Sequence, residues 1–193
     1  MSATPPKRLT DAAFADAAAA LGVDDAAIRA VAQVESIGRG FLPTGEPVIL
    51  FERHVFSRLT QGRFDKDYSD VSNRVPGGYG KKSEQHERLQ RAGALDRDAA
   101  LQSASWGLFQ VMGFNYRQCG FSRLQGFINA MYAGEPEQLA ATIRFIRANP
   151  KMHAALQARD WARFAAAYNG PAYKKTAYDK KLAAAYKQYG GRA

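Results

Sequence analysis

Residues 31–41 read VAQVESIGRGF. An apolar run ends in one carboxylate, Glu35, followed by Ser36 and by the two glycines Gly38 and Gly40. Ile28, Val31 and Val34 recur at helical spacing, with Ala32 and Glu35 beside them. The run therefore predicts an amphipathic helix over 25–36, capped by Asp24 and ended by Gly38 and Gly40. Glu35 falls in its last turn, one step from the apolar stripe. It reads either as a solvated helix-end residue or as an acid held against an apolar wall, and the rest of the chain has to choose.

Upstream, TDAAFADAAAAL predicts a helix from Thr10 to Leu21, with Thr10 or Asp11 as N-cap and Gly22 as stop. Residues 1–9 read as a loose basic arm before a single domain over 10–193. Downstream, PTGEPVILFERHVF (43–56) turns into the β-branched run VILF and predicts an extended or hairpin excursion. Residues 60–83 are polar and include PGGYG at 76–80. So long a loop is uncommon unless it lines a site or is disordered. Helical text resumes over 84–95 and 96–105. It then runs over 121–133, 136–148 (with Asn149-Pro150 as stop), 151–158, 160–168 and 172–189. The fold class is mainly α, a helical globule with one small extended excursion around 43–56.

The 193 residues are 46% hydrophobic and 11% aromatic, enough for a sizeable core and against disorder. The 27 Lys+Arg against 18 Asp+Glu give a net charge of +9, which favours an anionic partner without naming it. Cys119 is the single cysteine, so no intramolecular disulfide forms. The opening MSATPPKRLT lacks the apolar core of a signal peptide, and no run approaches the roughly 18 apolar residues of a membrane span. A soluble chain made in the cytoplasm is expected, and a monomer. His54, His86 and His153 show no metal spacing, and there is no P-loop or dinucleotide fingerprint, so no metal or cofactor is expected.

Three stretches stand apart: VESIG (34–38), SASWGLFQVM (103–112) and AAAYNGPAY (165–173). Each alone has a plain reading. Trp106, Leu108, Phe109, Val111 and Met112 are ordinary core residues, and Asn169-Gly170 is an ordinary helix end. Together, in this order, Glu35-Ser36, Gly107-Leu108-Phe109-Gln110 and Ala167-Tyr168-Asn169 resemble the signature of the lysozyme-like superfamily, near goose-type lysozymes and lytic transglycosylases. The longer blocks ESIGRGFLPTGEPVILFERHVF, PGGYG, ALDRDAALQSASWGLFQVMGFN and DWARFAAAYNGPAY are similar to the N-acetylmuramidase domain of phage endolysins. The likeness runs from about residue 24 to the C-terminal helix.

That resemblance implies a lysozyme-like fold and a peptidoglycan hydrolase acting on glycan strands. It implies cleavage of the β-1,4 bond between N-acetylmuramic acid and N-acetylglucosamine, with Glu35 as proton donor. It also implies a periplasmic wall reached after release by a holin. Ser36, Ser105, Gln110, Tyr168 and Asn169 are the substrate-contact candidates it carries. The chemistry agrees: a glycosidic oxygen leaves readily only when protonated, and an apolar wall keeps a carboxyl protonated near neutral pH.

A second catalytic group is less plain. Glu52, in FERH (51–54), is the first candidate for base or nucleophile, with a structural pair to Arg53 as its alternative. Asp65, Asp67 and Asp70 rank below it. A lone glutamate serving as acid and then base is the transglycosylase alternative, giving 1,6-anhydro products. A basic wall- or nucleic-acid-binding module without catalysis is the alternative of another class; no specific nucleic-acid motif supports it. The C-terminal run AYKKTAYDKKLAAAYKQYGGRA (172–193) interleaves tyrosines with lysines. It reads as a closing helix with solvated lysines, or else as a contact for an anionic envelope.

Overall fold

The computed structural model describes residues 8–36 and 39–191. Ten α-helices occur among them: α1 (Asp11–Leu21), α2 (Asp25–Ser36), α3 (Arg53–Leu59), α4 (Gln85–Leu95), α5 (Arg97–Gln102), α6 (Leu124–Ala133), α7 (Glu135–Arg147), α8 (Pro150–Gln157), α9 (Trp161–Asn169) and α10 (Tyr178–Gln188). Three short strands, β1 (Ile49–Phe51), β2 (Ala104–Trp106) and β3 (Val111–Met112), form one antiparallel sheet in that order. Ile49 faces Trp106, and Ser105 faces Met112 across the next ladder. The fold is mainly α with a small sheet, as the sequence implies.

Local chemistry places several helix ends. The Thr10 side chain accepts the Ala13 amide, and Gly22 closes α1 in the left-handed conformation. Asn149 and Asp160 cap α8 and α9, accepting the Met152 and Arg163 amides. Each satisfies a backbone donor that a helix start leaves open. Gly38, expected to help end α2, lies outside the described residues. So do residues 1–7 of the expected arm, whereas Arg8 and the Leu9 amide are held by the buried Glu135 carboxylate.

The structure corrects the reading in three places. Residues 53–56, expected to be extended, begin α3, with Glu52 at the N-cap position. Phe56 must bury completely beside Phe51, 6.0 Å between ring centres, and a helical turn folds it back there. Residues 104–105 leave helix for β2, because pairing with β1 satisfies their backbone in a fully buried strand. The helix expected over 172–189 breaks at Ala177, φ 50°, into a 3-10 turn (Pro171–Thr176) and α10.

The break at Ala177 turns Tyr178, Leu182, Ala185 and Tyr186 onto α2, the helix α10 packs against most closely, while Lys180, Lys181 and Lys187 stay exposed. Trp161 packs its ring on Tyr186 at 5.2 Å. α10 is thus a closing helix of the core. Cys119 is fully buried, and burial pushes its thiol up to about 12, away from any nucleophilic role. No described helix is long and apolar enough to cross a membrane.

Candidate active site

The three motifs meet at one turn. Residues 107–110 connect β2 to β3 and receive a bond from each motif. From the end of α2, the Ser36 hydroxyl donates to the Leu108 carbonyl at 2.8 Å. From α9, the Tyr168 hydroxyl donates to the Phe109 carbonyl at 2.6 Å. Within the turn, the Gln110 amide donates to the Gly107 and Val48 carbonyls and accepts from the Ser105 hydroxyl at 2.8 Å. Behind it, the buried Gln138 of α7 accepts the Leu108 amide at 2.7 Å and donates to the Met131 carbonyl. Gly107 sits at φ +71°, where a Cβ would come within 2.4 Å of Gln138, so this position demands glycine on two counts.

Around the turn lies a cavity of about 210 Å³ lined by Glu35, Glu52, Ser105, Gln110, Asn115, Tyr168 and Asn169 together with apolar side chains. Leu50, Val111, Met112 and Phe145 supply the apolar wall. Both candidate carboxylates and four of the five substrate-contact candidates are therefore gathered in one place. Ser36 is not among the lining residues; its hydroxyl is spent on the turn. Ser105, Gln110 and Tyr168 also spend their polar atoms within the protein. Asn169 alone of these five has no side-chain partner among the described residues, so its amide is the free one.

Glu35 is half-buried as a residue, but its carboxyl is surrounded by protein at the cavity wall. Burial raises it from 4.5 to about 7, opposed by a hydrogen bond from the Tyr178 hydroxyl. Desolvation wins, since one donor does not replace the lost water. At neutral pH a large fraction of Glu35 thus carries its proton and can give it away. Tyr178 belongs to the C-terminal run of tyrosines and lysines, which the sequence reads as a closing helix. No local signal marks it, because it lies 143 residues from Glu35 and only the docking of α10 on α2 joins them.

Glu52 stands at the end of β1 and enters the same cavity. The alternative reading, a pair with Arg53, is not found among the ion pairs of the described residues. His54 Nδ1 lies 3.1 Å from Glu52 Oε2, too far off line to be a well-directed hydrogen bond, so both buried atoms keep unspent capacity. The Tyr79 hydroxyl is the other polar neighbour. Desolvation raises the Glu52 carboxyl above its ordinary value, against His54 and Tyr79, which favour the charged form. Tyr79 is delivered by the PGGYG loop. Gly78, at φ +66°, leaves the space into which the Arg53 guanidinium packs. The weaker candidate Asp65 lies elsewhere, bonded to Ser57 and Ser72, and Asp70 pairs with Arg91 at 2.7 Å. Neither they nor Asp67 line the cavity.

Two comparisons bear on this site. The chain is similar to the solved crystal structure of Burkholderia AP3 phage endolysin, with 42% identity and a TM-score of 0.86 over 97% of this chain and 74% of that one. No curated protein matches it. The N-acetylmuramidase family model matches residues 24–190, a span that holds every residue of the cavity. An enclosed carboxyl, a facing carboxylate and a turn that ties three distant motifs together are thus set in a matching sequence, and the chain belongs to the N-acetylmuramidase family, whose members cleave peptidoglycan.

Proposed function

We propose that this protein hydrolyses the β-1,4 bond between N-acetylmuramic acid and N-acetylglucosamine, with Glu35 as general acid. The observation that carries the reading is the Glu35 carboxyl, raised to about 7 and opening on a cavity that holds a second carboxylate. Glu35 gives its proton to the departing glycosidic oxygen. Glu52, in its charged form, takes a proton from the water that attacks the sugar carbon. Its place on the cavity wall, beside His54 and Tyr79 that favour its charged form, suits that task. The free amide of Asn169 is placed to hold an N-acetyl or hydroxyl group, and the wall of Leu50, Val111 and Phe145 to meet sugar CH groups. The similarity to a phage endolysin supports a role in bacterial lysis, with the wall reached through a holin-made opening in the inner membrane.

Mass spectrometry of the fragments released from purified peptidoglycan tests this. Fragments ending in reducing N-acetylmuramic acid support it. Fragments lighter by one water, ending in the 1,6-anhydro sugar, would make the enzyme a lytic transglycosylase and leave Glu52 without its role. Reducing N-acetylglucosamine ends would mean the other bond. With no fragments at all, the basic binding module returns. Glu52→Gln should lower kcat at an unchanged melting temperature; a fall in both would make Glu52 a structural residue.

A further inference from the structure

Next to the candidate active site lies a shallow basin of about 420 Å³, lined by His54, Ser57, Arg58, Gln61, Gly62 and Arg74. It is joined to the catalytic cavity along two routes. His54 lines the basin, and its Nδ1 lies 3.1 Å from the carboxylate of Glu52, which lines the cavity. Arg58 reaches back the other way. Its guanidinium lies 5.7 Å from the ring centre of Phe114, which is exposed and adjoins the cavity residue Asn115.

The basin is cationic. Arg58 is exposed and has no carboxylate within ion-pair distance among the described residues. Arg74 is 83% exposed, and among the described residues its one ion pair is with Asp65, at 3.4 Å. Asp65 does not line the basin, and its two oxygens already accept from Ser57 at 3.0 Å and Ser72 at 2.6 Å. Two guanidinium groups against one carboxylate that is already hydrogen-bonded leave a net positive charge beside the cleft. Guanidinium forks match carboxylates in shape as well as in charge.

A glycan strand bound in the cavity is itself neutral along its N-acetylated sugars. Its anionic groups are the carboxylates of the peptide attached to the lactyl arm of each muramic residue. We propose that the Arg58–Arg74 basin is a subsite for a carboxylate of that stem peptide, so that the enzyme favours peptide-bearing over peptide-free glycan. This rests on the muramidase reading above and adds a specificity to it. Ionic strength weakens the preference, because both guanidinium groups are open to solvent.

The test uses soluble, uncross-linked glycan strands carrying stem peptides, and the same strands after an amidase has removed the peptides and the lactyl carboxylates thereby freed have been converted to neutral amides. The quantity read is the ratio of kcat/KM on the two substrates, for the wild type and for the Arg58→Gln, Arg74→Gln double variant. Both side chains project from the surface, so the variant should keep the wild-type melting temperature. The expected wild-type ratio is on the order of tenfold, falling close to one in the variant. A wild-type ratio near one, or a variant ratio equal to the wild type's, overturns the subsite and leaves the muramidase reading standing. Failure of the wild type on both substrates overturns that reading, and the subsite with it.

Discussion

Glu35 carries its proton because the fold denies it water. The folded chain still holds a proton at pH values between 4.5 and about 7, where the unfolded chain has released it. Stability is therefore whole below 4.5 and declines as pH rises through that interval, by about 3 kcal/mol in all. Glu35→Gln removes this cost. Thermal unfolding should show variant and wild type alike near pH 4 (about the ordinary carboxyl value), with the variant more stable by about 3 kcal/mol above pH 7. Its kcat should fall at least ~100-fold on peptidoglycan. Retained lysis by the folded variant would refute the assignment. Tyr178 acts on the same atom in the opposite sense, since its hydroxyl favours the carboxylate. Tyr178→Phe should move the Glu35 titration further up, and with it the high-pH limb of kcat/KM. An unmoved limb would reduce Tyr178 to a packing residue. Glu35 was legible in the sequence because helix period, apolar stripe and motif order all fall within a short window or in chain order. Tyr178, His54 and Tyr79 were not, because nothing next to them in the chain records which carboxylate they face.

At the scale of elements, the β2–β3 turn governs the site. It has little structure of its own and is held by Ser36, Tyr168, Gln110 and Gln138, each bonded to its backbone. The motif residues thus hold the cavity in shape before any of them meets substrate. Gly107→Ala forces a Cβ against Gln138 at a left-handed backbone position. It should cost about 2–4 kcal/mol, read from the urea midpoint. Activity should fall even at temperatures where the variant stays folded, since both walls of the cavity hang from this turn. A variant as stable as the wild type would show the turn to be pliable. The same strand pairing explains why residues 104–105, expected in a helix, are extended. A short apolar run suits either a buried strand or a buried helix, and only the pairing with β1 decides.

Across the whole molecule, α10 closes the core over α2 and brings Tyr178 to the acid, so integrity and chemistry share one helix. Leu182 is fully buried there, and Leu182→Ala should lower stability by about 2–5 kcal/mol by chemical denaturation. A change under about 0.5 kcal/mol would mean that α10 docks loosely. The lysines on its outer face contribute little to packing. With the +9 net charge they should instead draw the enzyme to an anionic wall, an attraction measurable as a binding rate that falls with added salt. From sequence alone came what local rules encode: helix periods, the caps at Thr10 and Gly22, the stop at Asn149-Pro150, the mainly helical class, and a family likeness built of motifs in order. Tertiary structure alone decided which groups meet: Tyr178 with Glu35, His54 with Glu52, Ser36 with Leu108. The physical reason is range. Caps and periodicity act within a few residues, whereas a buried carboxyl's proton affinity is set by whatever packing brings to it from the far end of the chain.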